Sequence, residues 1–253
     1  MSVATVHYGL EGRHALVTGA SRGIGRAVAS TLARNGAEVT CVGRHADTLE
    51  AAVKEIVAAG GRATAAPGDV TDRAFLERLV ADGPVVDILV NNAGVNFVEP
   101  LIDVSYEHIE AILATNVAAV AYLSSLVAAR MVAAERPGVI ISVSSAQAHV
   151  GASGRAVYSA SKHAVEGLTK SMALELAPSG IRAVTVAPTF TYTEMTAKRL
   201  DNPEFRSQVE ESIPLGRVAA PAEIAEAVAW LASPAASFVT GSSLLLDGGF
   251  TAR

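Results

Sequence analysis

Thr18-Gly19-Ala20-Ser21-Arg22-Gly23-Ile24-Gly25 stands directly after a compact apolar run, 14–18. It opens a stretch, 23–35, whose Ile24, Val28 and Leu32 recur at helical spacing. Glycine at 19 allows a tight turn, glycine at 23 lets backbone approach a phosphate closely, and glycine at 25 lets the helix pack on a sheet. The N–H groups at such a helix start face an anion. The spacing is G-x-x-x-G-x-G, not the commoner G-x-G-x-x-G, and three glycines alone make an ordinary turn. The strand before and the helix after move the reading to a dinucleotide-phosphate loop.

The same alternation runs along most of the chain. Apolar runs at 38–42, 62–66, 86–90, 139–143, 182–186 and 244–246 predict further strands. Helical patterns at 47–59, 71–81, 105–133, 155–176 and 222–231 fall between them. Strands separated by helices need crossover connections, and fully buried parallel strands read as continuous apolar runs. The expected fold is therefore α/β, a doubly wound parallel sheet with helices on both faces, built as one domain over residues 1–253. Residues 189–220 break the alternation. With Thr191, Thr193, Pro203 and Pro214 they predict a small helical insert or a mobile lid.

Composition removes several function classes. Twenty Lys and Arg against 25 Asp and Glu give a net charge of −5, with no basic balance for nucleic-acid binding. Half the residues are hydrophobic, too many for a disordered chain. Cys41 is the only cysteine, which excludes an intrachain disulfide and suits a reducing, cytoplasmic compartment. Residues 1–10 show no leader pattern. The most apolar stretch, 117–129, is expected to be too short for a bilayer, which takes about 20 residues. No metal site and no membrane partner are expected.

Chemistry is suggested by Tyr158-Ser159-Ala160-Ser161-Lys162 at the start of a helical segment. Residues at i and i+4 share a helix face, so an ammonium can sit beside the phenol. A free Tyr has a pKa of about 10, and a nearby positive charge moves it toward neutrality. Such pairs also occur as plain surface neighbours. Ser145, thirteen residues upstream, ends the strand at 139–143, where α/β sheets present ligands. Its hydroxyl could bond a substrate carbonyl, or Ser144 and Ser145 could be turn residues.

With these pieces in order, the chain resembles the short-chain dehydrogenase/reductase family over nearly its whole length. The matching segments are 18–25, Asp69-Val70, Asn91-Asn92-Ala93-Gly94, Asn116, Ser145, Tyr158, Lys162, and Pro188 with Thr193. The resemblance implies a Rossmann-type domain with a seven-stranded parallel sheet. It also implies hydride transfer between a nicotinamide cofactor and an alcohol or ketone, in a homotetramer. It makes Tyr158 the acid/base, with Lys162 lowering its pKa and holding the nicotinamide ribose. Ser145 would orient the carbonyl and Asn116 would hold a water. Gly19, Ser21, Arg22, Gly23, Ile24 and Gly25 would cradle the phosphates. Asp69 and Val70 would meet the adenine, and Asn92, Ala93 and Gly94 the ribose and middle of the cofactor. Pro188, Thr191 and Thr193 would flank the nicotinamide. Val184 stands where the family usually has Asn, and Thr189 where it usually has Gly; the second departure loosens the roles of Thr191 and Thr193.

Cofactor choice is read at the end of the second strand. A ribose 2′-OH is held by an acid there, a 2′-phosphate by an Arg nearby. The strand ends Gly43-Arg44 with no carboxylate, and Arg22 can add a second cation. NADP(H) is preferred over NAD(H). Ser145, Gln147, Ser153 and Tyr158 are the expected substrate contacts, with Asn96, Phe97, His149, Val150, Arg155 and Tyr192 around them. That mixed lining suits a sugar, a polyol or a small ketone. Two other readings stand beside this one. A 3-oxoacyl carrier-protein reductase would need a basic face, for which Arg130, Arg136 and Arg155 are candidates. A non-catalytic dinucleotide sensor is disfavoured by the intact Asn116, Ser145, Tyr158 and Lys162.

Overall fold

The computed structural model describes residues 7–252; residues 1–6 and 253, and with them most of the stretch read for a leader, lie outside the described residues. The strands are β1 (His14–Thr18), β2 (Glu38–Gly43), β3 (Arg62–Pro67), β4 (Ile88–Asn91), β5 (Val139–Val143), β6 (Arg182–Pro188) and β7 (Ser243–Leu246). They form one seven-stranded sheet in the order β3-β2-β1-β4-β5-β6-β7, with every neighbouring pair parallel. Strand order reverses between β1 and β4, so a crevice opens beyond the carboxyl ends of the strands at that point.

The helices are α1 (Gly23–Arg34), α2 (Ala46–Ala58), α3 (Arg73–Asp82), α4 (Tyr106–Leu113), α5 (Ala119–Ala133), α6 (Ala156–Leu176), α7 (Glu194–Leu200), α8 (Pro203–Glu211) and α9 (Pro221–Ala232). Successive strand residues face opposite sides. Val17, Val39, Val90 and Ile141 pack with Val28 and Leu32 of α1, Ile56 of α2 and Val228 of α9. Leu16, Leu89 and Ile140 pack on the other side with Leu76 of α3 and Leu123, Val127 and Met131 of α5. Both faces of the sheet are therefore covered, as the uninterrupted apolar strands require.

Two expectations change and one open alternative resolves. The strand expected at 86–90 begins at Ile88. The buried Asp87 carboxylate accepts from His14 N–H at 2.7 Å and pairs with Arg136 at 2.8 Å, anchoring the start of the strand. The apolar window at 117–129 belongs to a 28-residue helical stretch, Tyr106–Ala133, which is long and apolar enough by length and composition to cross a membrane. Its Leu123, Val127 and Met131 are buried on the sheet, and Ser124 Oγ accepts from Asn91 at 3.0 Å. A π-helical turn at Ala114–Ala118 interrupts the stretch. The segment 189–220 carries two short helices, α7 and α8, the helical insert that is one of its two expected readings. Pro203 starts α8, and the Asn202 side chain caps it by accepting from Phe205 N–H. Leu200, Val209, Ile213 and Val218 form a small core of their own with Phe190, Phe205 and Phe250.

Candidate active site

A cleft of about 720 Å³ lies over the carboxyl ends of β1, β2 and β4 to β6 and is roofed by α7 and α8. Its floor is the glycine turn. Gly19 has φ 66°, and a Cβ there would lie 2.8 Å from Asn92 Nδ2. A Cβ on Gly25 would lie 2.2 Å from the Gly19 carbonyl oxygen, so only glycine permits this packing of turn and helix. Arg22 supplies no side-chain cap to α1, and the first turn carries no acid. The opening N–H groups of α1 are thus left for an anion from outside. This cradle fits the pyrophosphate of a dinucleotide.

Gly19, Ser21, Arg22, Gly23, Ile24, Arg44, Asp69, Val70, Ala93, Gly94, Pro188, Thr191 and Thr193 all line the cleft, whereas Gly25 does not. Asn92 also lines it, but its amide donates to the carbonyls of Thr18 at 2.9 Å and Gly19 at 3.2 Å. It braces β4 against the glycine turn, so the expected ribose contact is not open to those N–H groups. The Asp69 carboxylate accepts from Thr71 N–H at 2.9 Å, closing the turn after β3. Thr193 Cγ2 lies 3.2 Å from the position of a Cβ on Gly23, which puts the start of α7 directly on the phosphate loop.

Tyr158 and Lys162 sit in the first two turns of α6 and reach the cleft beside Ser145. The Lys162 ammonium donates to Val143 O at 2.8 Å and lies 5.6 Å from the centre of the Tyr158 ring. Burial pushes Lys162 down to about 8, against the pull of the Glu166 charge. Burial pushes the Tyr158 phenol up, while a hydrogen bond with Ser145 and the Arg155 charge pull it down. The phenol pKa is therefore raised, not lowered as expected, with Ser145 and Arg155, not Lys162, pulling against burial, and a protonated phenol beside an ammonium is the resting state near neutral pH.

Asn116 is fully buried in the π-helical turn. Its amide donates to Val95 O at 2.9 Å and Ser161 Oγ at 3.1 Å, and Oδ1 accepts from Val95 N–H. Both N–H groups are engaged, so a water can meet this side chain only at Oδ1. The amide ties the segment after β4 to α6.

A family model described as enoyl-(acyl carrier protein) reductase matches residues 19–251. The chain is 40% identical over 248 residues to gluconate 5-dehydrogenase of Gluconobacter oxydans, covering 96% of both. It is 37% identical over 249 residues to L-xylulose reductase of Bos taurus, covering 96% of this chain and 98% of that one. The structure superposes with TM-score 0.93 on a gluconate 5-dehydrogenase from Burkholderia cenocepacia in complex with NADP and tartrate, at 33% identity and 98% coverage of each chain. The chain belongs to the short-chain dehydrogenase/reductase family. This dehydrogenase/reductase is an NAD(P)-dependent oxidoreductase of alcohols and ketones.

Behind Lys162, one turn along α6, this dehydrogenase/reductase carries a buried carboxylate. Glu166 accepts from Thr185 Oγ1 at 2.9 Å and Ser243 Oγ at 3.0 Å, and lies 3.6 Å from His149 Nε2. His149, expected in the substrate pocket, instead lies outside the cleft lining, against β7. Glu166→Gln removes the negative charge that favours the ammonium of Lys162. The Lys162 pKa then falls further below its ordinary value, and the alkaline limb of the pH–rate profile for ketone reduction moves to lower pH. An unmoved limb contradicts this coupling.

At the other end of the cleft, Ser145, Gln147, Arg155 and Tyr158 line the wall. Ser153, Phe97, Val150 and Tyr192 do not. Ser153 is exposed, Phe97 stacks on His108 at 3.8 Å, and the Tyr192 hydroxyl donates to Asp201 at 2.8 Å. Phe190, Arg199 and Phe205 join the lining without having been expected. Their placement depends on how the insert folds over the strand ends; the pattern of 189–220 signals an insert but not which of its side chains face the cleft.

Proposed function

We propose that this enzyme transfers a hydride between NADP(H) and an alcohol or ketone of a sugar or polyol. The observation that carries the reading is the convergence of the Tyr158 phenol, the Lys162 ammonium and the Ser145 hydroxyl on one cleft whose far end is a dinucleotide cradle. A nicotinamide held in the cradle would supply or take up the hydride. The chain's own groups handle position and the proton. In reduction, Ser145 holds the carbonyl oxygen and Tyr158 gives its O–H proton to that oxygen as the carbon–hydrogen bond forms. Lys162 stabilises the phenolate left behind, and in oxidation the proton moves the other way. Asn116 is a positioning residue that fixes α6 against the strand end.

Arg44 and Arg22 line the adenine end, where no acid follows β2, which supports NADP(H). The Burkholderia cenocepacia relative was crystallised with NADP, which supports the same choice, while L-rhamnose 1-dehydrogenase (NAD(P)(+)) of Sphingomonas, 38% identical, is named for both dinucleotides. Their names, gluconate, xylulose and rhamnose, support a polyhydroxylated substrate. Of the three arginines considered for a carrier-protein face, only Arg155 lines the cleft. Arg136 pairs with Asp87 at the amino ends of the strands, and Arg130 donates to the carbonyls of Val80 and Gly83, both away from the cleft.

The test is turnover on a panel of polyols, ketoses and acyl thioesters, followed at the nicotinamide absorbance band. Polyols and ketoses are expected to turn over; activity on thioesters alone overturns the reading. The reading also includes a homotetramer. Phe238 and Leu245 are exposed near the β7 edge, and Leu113 and Val132 along the α4–α5 stretch. Apolar side chains of this kind mark association surfaces. Light scattering should give four times the chain mass, and a monodisperse monomer contradicts it.

A further inference from the structure

The wall of the cleft beside Tyr158 is an alternating row of cations and rings. The Arg155 guanidinium lies 5.5 Å from the centre of the Phe190 ring. Phe190 meets Phe205 edge to face at 6.2 Å, and the Arg199 guanidinium lies 4.3 Å from the Phe205 centre. All four side chains line the cleft. Stacking on a ring holds a guanidinium in place and leaves its planar fork of donors free.

Neither Arg155 nor Arg199 forms an ion pair with a carboxylate among the described residues, whereas nearby Arg206 pairs with Glu210 at 2.9 Å and Arg217 with Glu223 at 2.7 Å. The two free cations also repel: burial and the Arg199 charge both disfavour the charged form of Arg155. The acids of the lining, Asp69 and Glu194, serve the cofactor half. Glu194 Oε2 lies 3.6 Å from the position of a Cβ on Gly23, and Asp69 closes the turn after β3. A like-charge pair without an internal counter-ion is relieved by an anion from outside. Two more groups point to a ligand at this end. Asn96 Oδ1 and Gln147 Oε1 are buried lining atoms with no hydrogen-bond partner among the described residues. Each is an acceptor suited to a substrate hydroxyl.

We infer that Arg155 and Arg199 form an anion subsite, so that the substrate is a polyhydroxylated chain ending in an anionic group, a sugar acid or a sugar phosphate, rather than a neutral polyol. The inference rests on the hydride-transfer reading for what happens to that substrate, but not for its binding. The anionic end lies between the two guanidiniums, the hydroxyls meet Asn96 and Gln147, and the reacting carbon faces Tyr158 and Ser145.

The experiment is calorimetric titration of the NADP⁺-loaded protein with gluconate, glucitol and glucitol 6-phosphate, with turnover recorded on the same samples. A charge-assisted hydrogen bond is worth about 1.5–3 kcal/mol and about 1.4 kcal/mol is tenfold, so an anionic probe should bind at least about tenfold more tightly than glucitol. Preference for gluconate over the phosphate ester assigns a carboxylate; the reverse assigns a phosphate. Arg155→Gln and Arg199→Gln should each bring the anion-to-glucitol affinity ratio toward one. Arg199 is exposed, so its replacement leaves the core intact. Equal affinity for glucitol and both anions, or a ratio that survives both substitutions, overturns the subsite. Anion preference without any change in nicotinamide absorbance keeps the subsite and overturns the hydride-transfer reading instead.

Discussion

Tyr158→Phe lowers kcat/KM by roughly 10²–10⁴-fold in both directions while NADP(H) still binds. This is the range lost with a general acid/base. Phenylalanine keeps the ring and its packing and removes the transferable proton. The Lys162 ammonium keeps its 2.8 Å bond to Val143 O, because that contact does not involve the phenol. The pH dependence has a definite sign. Burial holds the Tyr158 pKa above its ordinary value, so the phenol is in its donating form at neutral pH and ketone reduction is supported there. Alcohol oxidation needs the phenolate and therefore rises with pH. Stopped-flow measurement of hydride transfer in both directions checks this. Near-normal transfer in the Tyr158→Phe protein contradicts the assignment of the proton to Tyr158.

Arg44→Leu weakens NADP(H) by roughly ten- to a hundred-fold, since a lost charge-assisted hydrogen bond costs about 1.5–3 kcal/mol, and it shifts the relative preference toward NAD(H). The obvious companion change, an acid at residue 43, is not a clean test. A Cβ on Gly43 would lie 2.3 Å from Ser21 Oγ, so Gly43→Asp also forces the Ser21 hydroxyl of the phosphate loop to move and changes more than the charge. Arg44 is exposed at the end of β2, and its substitution leaves the loop undisturbed. Titration of the free cofactors measures the change, because KM mixes binding with chemistry. A wild-type protein that already prefers NAD(H) makes Arg44 a solvated or adenine-stacking side chain.

The parts of this fold that could be read in the chain are those whose cause is local. The apolar run at β1, the glycines at 19, 23 and 25 and the 3.6-residue spacing after them determine one another within about a dozen residues. Tyr158 and Lys162 are one helical turn apart whatever packs around them. What stayed hidden depends on partners distant in sequence. The Asn92 amide braces carbonyls at 18 and 19, and Asn116 spans from the π-helical turn to Ser161. His149 turns to Ser243, 94 residues away, rather than to the substrate. Arg199 faces the cleft because Leu200, Val209 and Ile213 bury themselves with Phe190 and fold the insert over the strand ends. Sequence spacing places residues on a helix face; it does not say which face meets the ligand.

The central claim is that this cleft moves a hydride from NADPH to the carbonyl of a polyhydroxylated ketone, with the proton coming from Tyr158. The most direct measurement is a single turnover: enzyme in excess, loaded with NADPH, mixed with a ketose or keto sugar acid, and followed at the nicotinamide absorbance band alongside the Tyr158→Phe protein. The account predicts loss of one nicotinamide absorbance per substrate consumed, with the corresponding alcohol formed, and a far slower loss in the variant. Bound NADPH that stays reduced with both substrates, or that is oxidised equally fast without the Tyr158 hydroxyl, contradicts it.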